Sequence, residues 1–197
     1  MLSSLPPVTR AIIIANVAVF LLQQVAGNTM LELFALWPYG PLFQPWQVVT
    51  YAFLHGGFAH IFFNMFAFFM FGRTLEELWG SRRFAIYYLV SVLAAAATEL
   101  AVQGTSAAAE PVVGASGGVF GLLLAFAWYF PKQRIILLFP PIPMPAWLFV
   151  TLYGVLELGL GVTGSQEGVA HFAHLGGMLG GALMILYWRG RGRSNLF

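Results

Sequence analysis

The sequence contains no cysteine and no aspartate, and only 8% of its 197 residues are charged. Without cysteine there is no disulfide framework and no thiolate chemistry. Without aspartate the chain has neither a Ser-His-Asp triad nor an aspartyl-protease site. All of its acidic residues are glutamates: Glu32, Glu76, Glu77, Glu99, Glu110, Glu157 and Glu167.

Charge is scarce along the whole chain. A soluble domain usually carries about 25% charged residues, so a chain with 8% charged and 59% hydrophobic residues suits lipid better than water. Nine basic residues outnumber seven acidic ones, which in a soluble protein would suggest a nucleic-acid partner. Here the basic residues lie between apolar runs, so they indicate membrane topology and no nucleic-acid partner.

Six apolar runs predict an all-α, polytopic membrane protein with a single domain over residues 1–197. A transmembrane helix needs about 20 residues, and most of the runs approach that length. The first run follows Arg10, as in a signal peptide, but Gln23–Gly27 is a poor cleavage region, so we favour a retained helix. The predicted helices are Ala11–Gly27, Ala52–Gly72, Phe84–Gln103, Ser116–Phe130, Ala146–Val162 and Val169–Trp188.

The basic residues predict one orientation for this six-helix bundle. With these spans every lysine and arginine falls on the same side of the membrane, whereas a wrong helix count would scatter them. The positive-inside rule then puts both termini in the cytoplasm, and the compact chain suggests a bacterial inner membrane. The residues are Arg10, Arg73, Arg82, Arg83, Lys132, Arg134, Arg189, Arg191 and Arg193.

Two connecting segments are rich in proline. Asn28–Tyr51 is long for a loop and also rich in aromatic residues, so it is predicted to lie partly in the headgroup region, where Trp and Tyr anchor well. The prolines between Pro140 and Pro145 prevent helix continuation, and they predict that the fifth helix starts at Ala146.

Polar groups from three helices are predicted to meet in the outer half of the membrane. His55 and His60 lie near the outer end of the second helix, His171 and His174 begin the sixth, and Ser116 begins the fourth. Ionisable residues inside spans are costly and indicate function. The fourth helix is only about 22 Å long, against a hydrocarbon layer of about 30 Å. Ser116 is therefore predicted to lie below the outer surface, in a water-filled cavity enclosed by protein.

Ser116 stands at a glycine-rich junction between a loop and a helix, Gly114-Ala115-Ser116-Gly117. The backbone amides of such a loop and the N-terminus of a helix suit a developing oxyanion. The same residue types are also common where transmembrane helices simply pack together. The motif therefore indicates chemistry only if a base lies nearby.

His174 is the candidate base, because histidine can take a serine proton and later return it. Small residues continue the helix face that begins at His174, and a similar stripe follows Ser116 on the fourth helix. Two such stripes let helices approach closely, so the two side chains are predicted to come within reach of each other. The stripes are Gly177 with Gly181, and Gly117 with Gly121.

Two pairs of polar residues share helix faces. His60 and Asn64 lie on one face of the second helix, and both can donate hydrogen bonds. They are candidates to hold an oxyanion, or to make structural bonds between helices. His171 and His174 also share a face, where buried polar pairing is the structural alternative.

Three motifs at these residues resemble the rhomboid family of intramembrane serine proteases, and together they span almost the whole chain. The resemblance implies a six-helix core, no cofactor and no metal. It also implies single-pass membrane proteins as substrates, cut in or near their transmembrane segment. The motifs are His60-Ile61-Phe62-Phe63-Asn64, Gly114-Ala115-Ser116-Gly117, and Ala173-His174-Leu175-Gly176-Gly177 with Gly181.

The resemblance also implies roles for individual residues. Ser116 would be the nucleophile and His174 the general base, a dyad without a carboxylate that agrees with the missing aspartate. His60, Asn64 and the Ser116 backbone amide would form the oxyanion hole, and Phe120 would pack against His174. Supporting positions are Gly114, Gly117, His171 and Gly177, and the family's turn between helices 2 and 3 is matched by Gly72, Glu76, Gly80 and Ser81, which we interpret as structural.

Two further regions match the family's architecture. Asn28–Tyr51 matches a large half-embedded loop, and the fifth helix with Thr163–Gly168 matches a lateral gate and its cap. The resemblance assigns no role to the embedded acids Glu99 and Glu157. Either is able to orient His174, but structural carboxyls held by hydrogen bonds are the favoured interpretation.

Three other functions are weighed against this one. An inactive relative that acts as a binding factor should lack the serine or the histidine, and this chain keeps both. A zinc site from His60, His171 and His174 fits imidazole chemistry, but it lacks Cys or Asp and leaves the serine loop unused. A channel or transporter is favoured by inverted repeats, which we do not find in the sequence.

Overall fold

The computed structural model describes residues 5–104, 110–136, 141–164 and 170–192. Predictions that fall on Pro140, Val169 and Arg193, and on most of the Thr163–Gly168 connection, lie outside these residues. The described helices are α1 (Pro7–Ala26), α2 (Asn28–Phe34), α3 (Gln47–Thr50), α4 (Phe58–Ala67), α5 (Arg73–Trp79), α6 (Ser81–Gln103), α7 (Ser116–Tyr129), α8 (Ala146–Thr163) and α9 (His171–Gly192); two strands are β1 (Arg134–Ile136) and β2 (Pro143–Pro145).

Several of these helices are built to cross a membrane. In the described part of the chain, four are long and apolar enough to do so: α1, the continuous stretch Phe58–Trp79, α6 and α8. Helix α7 is apolar but shorter, as expected, and α9 has 22 residues but carries histidines and several glycines. The chain is an all-α polytopic membrane protein, and its six-span count stays a prediction.

The second span starts later than predicted. It begins at Phe58 rather than Ala52, because Tyr51–Phe53 forms a separate 3-10 turn. Leu54 is extended after that turn, and the backbone of Gly57 is extended as well. The residues before Phe58 are therefore a connection, and His55 lies in this connection and not in the helix.

The same span also ends later than predicted. A π-helical turn, Phe68–Gly72, joins α4 to α5, so the helical stretch continues to Trp79. Arg73 thus lies inside the helical stretch rather than in a loop, exposed and 2.9 Å from Glu77. The reversal into α6 occurs at Gly80, whose φ of 77° favours glycine.

Glu76 connects the start of α1 to the turn after α5. Its buried carboxylate accepts hydrogen bonds from the backbone N–H groups of Val8 (2.9 Å) and Thr9 (2.7 Å) and from the hydroxyls of Thr9 (2.7 Å) and Ser81 (2.6 Å). The first N–H groups of a helix have no partner within the helix, and here a buried acid supplies one. This embedded glutamate is structural, in line with the interpretation of the turn.

Helix α9 packs against α6 and α7 at the centre of the protein. Glycine makes this possible, since a Cβ on Gly177 would overlap the carbonyl of Gly117, and a Cβ on Gly181 would overlap the Tyr87 hydroxyl. A Cβ on Gly121 would lie 3.0 Å from the Gly177 carbonyl oxygen. The two predicted stripes of small residues therefore face each other, and the predicted close approach is confirmed.

The aromatic segment between α1 and α4 supports the loop that precedes α7. It contains α2 and α3, which were not predicted. Leu36 and Val112 pair in antiparallel fashion, each N–H 2.9 Å from the other's carbonyl oxygen. The Gly114 N–H also donates to the Tyr51 carbonyl at 2.9 Å. These bonds hold the backbone immediately before Ser116.

Helix α8 starts at Ala146, as the prolines predicted. Before it, β1 and β2 pair as a short antiparallel hairpin, with Ile135 opposite Met144. The hairpin was not predicted, because prolines in β2 argue against a strand except at an edge.

Candidate active site

Ser116 and His174 meet where α7 and α9 approach each other. Ser116 is the first residue of α7 and is half-buried. His174 lies in the first turn of α9 and is buried. The Ser116 Oγ and the His174 Nε2 are 2.8 Å apart, which is hydrogen-bond distance. The predicted contact between these side chains is therefore present.

An aromatic ring packs against the face of the His174 imidazole. Phe120, one turn after Ser116, stacks on it with ring centroids 4.2 Å apart and an angle of 6° between the planes. Tyr153 of α8 also contacts Phe120, with ring centroids 4.9 Å apart. Stacking restricts rotation of the imidazole, so its Nε2 stays directed at the serine.

A carboxylate that the sequence analysis left as structural reaches the same imidazole. The Glu157 Oε2 lies 2.9 Å from the Nδ1 of His174 and 2.7 Å from the Nδ1 of His171. Glu157 belongs to α8 and is only 4% exposed. The one signal in the sequence was an acid in an otherwise apolar span, but nothing in the sequence identified which helix it faces.

His60 lies against the backbone that leads into Ser116. A Cβ on Gly114 would be 2.8 Å from the Cε1 and 2.9 Å from the Nε2 of His60, and 3.6 Å from the Ser116 Oγ. Gly114 also has a φ of 130°, which other residues rarely adopt. Both the close approach of the imidazole and the positive φ therefore favour glycine at this position.

His60 and Asn64 each keep one N–H hydrogen that can donate to a bound substrate. The Gly56 N–H donates to the His60 Nδ1 at 3.3 Å, so a neutral His60 carries its hydrogen on Nε2. The Asn64 amide donates one hydrogen to the His60 carbonyl at 2.9 Å and keeps a second. The Ser116 backbone N–H, at the first position of α7, has no partner within the helix.

An open cavity of about 1220 Å³ brings these residues together. Its lining includes Ser116, His174, His60 and Asn64, and also the embedded acid Glu99. Most of the remaining lining is apolar. The cavity thus combines a small polar group of side chains with walls that suit a hydrophobic segment of chain.

His55 stands apart from this group of side chains. It lies in the connection before α4, where the Gln23 side chain accepts its N–H at 2.9 Å and donates to its carbonyl at 3.2 Å. Burial, and secondly the neighbouring His60, lowers the pKa of His55 to about 4. His55 is therefore neutral near pH 7, and its contacts link α1 to the connection.

The possible metal-ligating cluster differs from the set considered in the sequence analysis. Among the described residues, Glu157, His171 and His174 offer donor atoms within 4.8 Å of one another. His60 is not part of this cluster, which contains a carboxylate in its place. The donor set of two imidazoles and one carboxylate is one that zinc accepts.

Comparison with known proteins shows which family this chain resembles in sequence. Residues 42–191 match the family model of the rhomboid domain. The chain is 26% identical over 189 residues to the rhomboid protease GlpG of two strains of Klebsiella pneumoniae, an alignment that covers 90% of this chain and 62% of GlpG. It is 32% identical over 139 residues to the mitochondrial rhomboid protein 1 of Saccharomyces cerevisiae, which covers 70% of this chain and 40% of that protein.

The chain therefore spans less than two thirds of the length of these relatives. The matched domain nevertheless covers most of this chain, and it includes the predicted site residues His60, Asn64, Ser116 and His174. On the extent of that match, the chain belongs to the rhomboid family.

Proposed function

We propose that this chain is an intramembrane serine endopeptidase that cleaves single-pass membrane proteins in or near their transmembrane segment. The observation that carries the proposal is the 2.8 Å contact between the Ser116 Oγ and the His174 Nε2, at a cavity among apolar helices. Membership of the rhomboid family, and the likeness to a protein named a rhomboid protease, support the same reaction class.

The reaction proceeds by acyl transfer to the serine. His174 takes the proton of the Ser116 hydroxyl while the Oγ attacks the scissile carbonyl carbon, and the carbonyl electron pair moves to its oxygen. The tetrahedral intermediate collapses as His174 gives the proton to the leaving amine. A water molecule then repeats the sequence on the acyl-enzyme, and Ser116 is regenerated.

The negative oxygen of the intermediate needs donors that are already in place. The spare hydrogens of His60 and Asn64 and the backbone N–H of Ser116 serve this purpose. The N-terminus of α7 adds a favourable dipole at the same point. Prearranged donors of this kind cost no reorganisation when charge develops.

A hydrophobic substrate would reach the cavity from the lipid, and α8 is the element we assign as the lateral gate. Its side chains Leu152, Val155 and Leu156 are exposed, as suits contact with lipid or with a transmembrane segment. Glu157 on the same helix is buried against α9. A modest outward shift of α8 would open the side of the cavity.

We also propose how the chain lies in its membrane. The described basic residues at the start of α6 and in the last turn of α9 agree with cytoplasmic ends for these helices. Both termini are then cytoplasmic, and the cavity opens to the outer side, in a bacterial inner membrane. Accessibility of single introduced cysteines to a membrane-impermeant thiol reagent tests this, because the natural chain has none.

The test of the proposed function is cleavage by the purified protein in lipid vesicles. The substrate is a single-pass protein with small residues near the outer end of its segment, and the comparison is its soluble ectodomain alone. We expect cleavage of the former only, and labelling of Ser116 by a fluorophosphonate probe. Cleavage restricted to the soluble form, or a label mapped to another residue, would contradict the proposal.

The variants His60→Ala and Asn64→Ala are expected to lower kcat with little change in KM, because each removes a donor used in the transition state. One such donor is typically worth about 2.7–4 kcal/mol, or about 10²–10³-fold in rate. Steady-state kinetics on the transmembrane substrate give both parameters. Asn28→Ala, an exposed change at the start of α2, is the control, and wild-type kcat in both cavity variants would exclude this assignment.

A further inference from the structure

Glu157 is a buried acid that has no part in the acyl-transfer steps proposed above. It projects from α8 toward the first turn of α9, where one oxygen, Oε2, lies 2.7 Å from the His171 Nδ1 and 2.9 Å from the His174 Nδ1. The side chain of Glu157 is only 5% exposed, and that of His174 is 11% exposed. At such burial an ionised carboxylate is retained only with hydrogen-bond partners, and the two imidazoles supply them.

These contacts determine where the hydrogen atoms lie. An ionised carboxylate only accepts hydrogen bonds, so the Nδ1 atoms of His171 and His174 must both carry hydrogen. A neutral His174 then has its free lone pair on Nε2, which lies 2.8 Å from the Ser116 Oγ. This is the tautomer that can take the serine proton, whereas a hydrogen on Nε2 would prevent it.

We infer that Glu157 is a positioning residue that completes a hydrogen-bonded Ser116–His174–Glu157 triad, an inference that rests on the proposed function. It selects the reactive tautomer of His174, fixes the imidazole together with Phe120, and stabilises the imidazolium formed when the serine proton moves to Nε2. Glu157 itself stays ionised throughout, as the acid does in a soluble serine-protease triad. The site thus uses a carboxylate although the chain has no aspartate.

Other ionisable groups lie near the triad, but their described contacts differ from those of Glu157. Glu99 of α6 is buried near α9 but accepts a hydrogen bond from Gln103 at 2.9 Å. Tyr153 lies one turn before Glu157 on α8, and His60 faces the cavity from α4. Among the described residues, Glu157 is the acid placed at the Nδ1 of His174.

The same cluster offers a donor set that suits zinc, but its distances are those of hydrogen bonds. With zinc–ligand bonds of about 2.0–2.1 Å, two ligand atoms on a tetrahedral ion lie about 3.3 Å apart. The observed separations from the Glu157 Oε2, 2.7 and 2.9 Å, are shorter and are those of charge-assisted hydrogen bonds. A metal bound at the Nδ1 of His174 would also leave hydrogen on Nε2 and stop the base.

The test is the kinetics of Glu157→Gln on the transmembrane substrate across a range of pH. Because the amide can donate to Nδ1 and so favour the wrong tautomer, we expect kcat to fall by about 10²–10⁴-fold with KM nearly unchanged. We expect the acidic limb of the pH profile to move to lower pH, since imidazolium loses its counter-charge. Glu157→Asp keeps the charge, and we expect an intermediate kcat with the limb near its wild-type position.

Controls separate positioning from folding. Glu32→Gln removes an exposed carboxylate of α2 that is not part of the cavity lining, and we expect wild-type kcat and no shift of the acidic limb. Fluorophosphonate labelling and thermal unfolding establish that each variant is folded. If Glu157→Gln does not fold, the Glu157→Asp profile decides, because a purely structural role would leave kcat per folded molecule unchanged.

The outcomes also distinguish this inference from the proposed function. If Ser116→Ala and His174→Ala are inactive while Glu157→Gln matches wild type in kcat and pH profile, the proposed role of Glu157 is wrong. The proposed protease function then still holds. If Ser116→Ala still cleaves the substrate, the proposed serine protease function of this site is wrong. If a chelator removes the activity of the wild-type protein and zinc restores it, the cluster is a metal site, and the proposed positioning role of Glu157 is wrong.

Discussion

Ser116→Ala is expected to abolish cleavage of a transmembrane substrate while the protein remains folded. The Oγ of Ser116 is the atom that attacks the scissile carbonyl, and among the described residues it is the serine or threonine oxygen hydrogen-bonded to His174. In a soluble serine protease the loss of the nucleophile costs about 10⁶-fold in kcat. The change removes one oxygen from a half-buried position, so its effect on stability should be small.

His174→Ala is expected to be as severe, and the double variant no worse than either single one. Residues that act as one unit are strongly non-additive, because the loss of one member leaves the other without a function. Cleavage of the transmembrane substrate and fluorophosphonate labelling measure these losses. Independent, additive losses would contradict a shared proton transfer.

Ser91→Ala is the matched control for the serine variant. Ser91 is fully buried on α6, and its hydroxyl donates to the Tyr87 carbonyl of its own helix at 3.1 Å. We expect near-wild-type cleavage from this variant. Cleavage by Ser116→Ala at the rate of Ser91→Ala would identify another nucleophile.

Gly177→Ala is expected to have the largest effect on stability. The added Cβ would overlap the backbone carbonyl of Gly117, and a backbone atom cannot move aside as a flexible side chain can. Overpacking a core usually costs about 1–3 kcal/mol, and we expect a loss beyond about 3 kcal/mol because α7 and α9 must separate. The Ser116–His174 contact spans the same helix pair, so activity should fall as well.

Thermal unfolding in detergent and cleavage per folded molecule measure these two effects. Gly190→Ala is the control on the same helix, because a Cβ there meets nothing within 4 Å. Alanine is preferred to glycine in helices by about 0.5–1 kcal/mol, so this control should melt at or above the wild-type temperature. A Gly177→Ala protein as stable as Gly190→Ala would mean that α7 and α9 are not in close contact.

Part of the site was accessible from the sequence because helical periodicity places residues on faces. The stripe of Gly177 and Gly181 after His174, and the matching stripe after Ser116, predicted that the two helices pack closely and bring the pair together. That prediction needed no knowledge of helix rotation, because small residues mark the contact face by themselves. The structure has this contact at 2.8 Å.

The limits of the second span were predicted poorly for a local reason. Apolar composition continues from Ala52 into the helix, but the backbone changes from a 3-10 turn to an extended connection before Phe58. At the other end, the predicted span stops at Gly72, which puts Arg73 in the connection between helices 2 and 3. A charged residue at the end of a span can stay helical when its side chain reaches the surface, and Arg73 is exposed beside Glu77.

Composition and periodicity by themselves determined a polytopic α-helical membrane protein, a serine at the start of one short helix and a histidine on a closely packed neighbour. They also ruled out an aspartate at the site, which agrees with the dyad without a carboxylate that the family resemblance implies. Only the tertiary structure placed Glu157 at the Nδ1 of His174. The rotation of α8 against α9 depends on the packing of whole helices, and a single acid in an apolar span carries no information about the neighbour it faces.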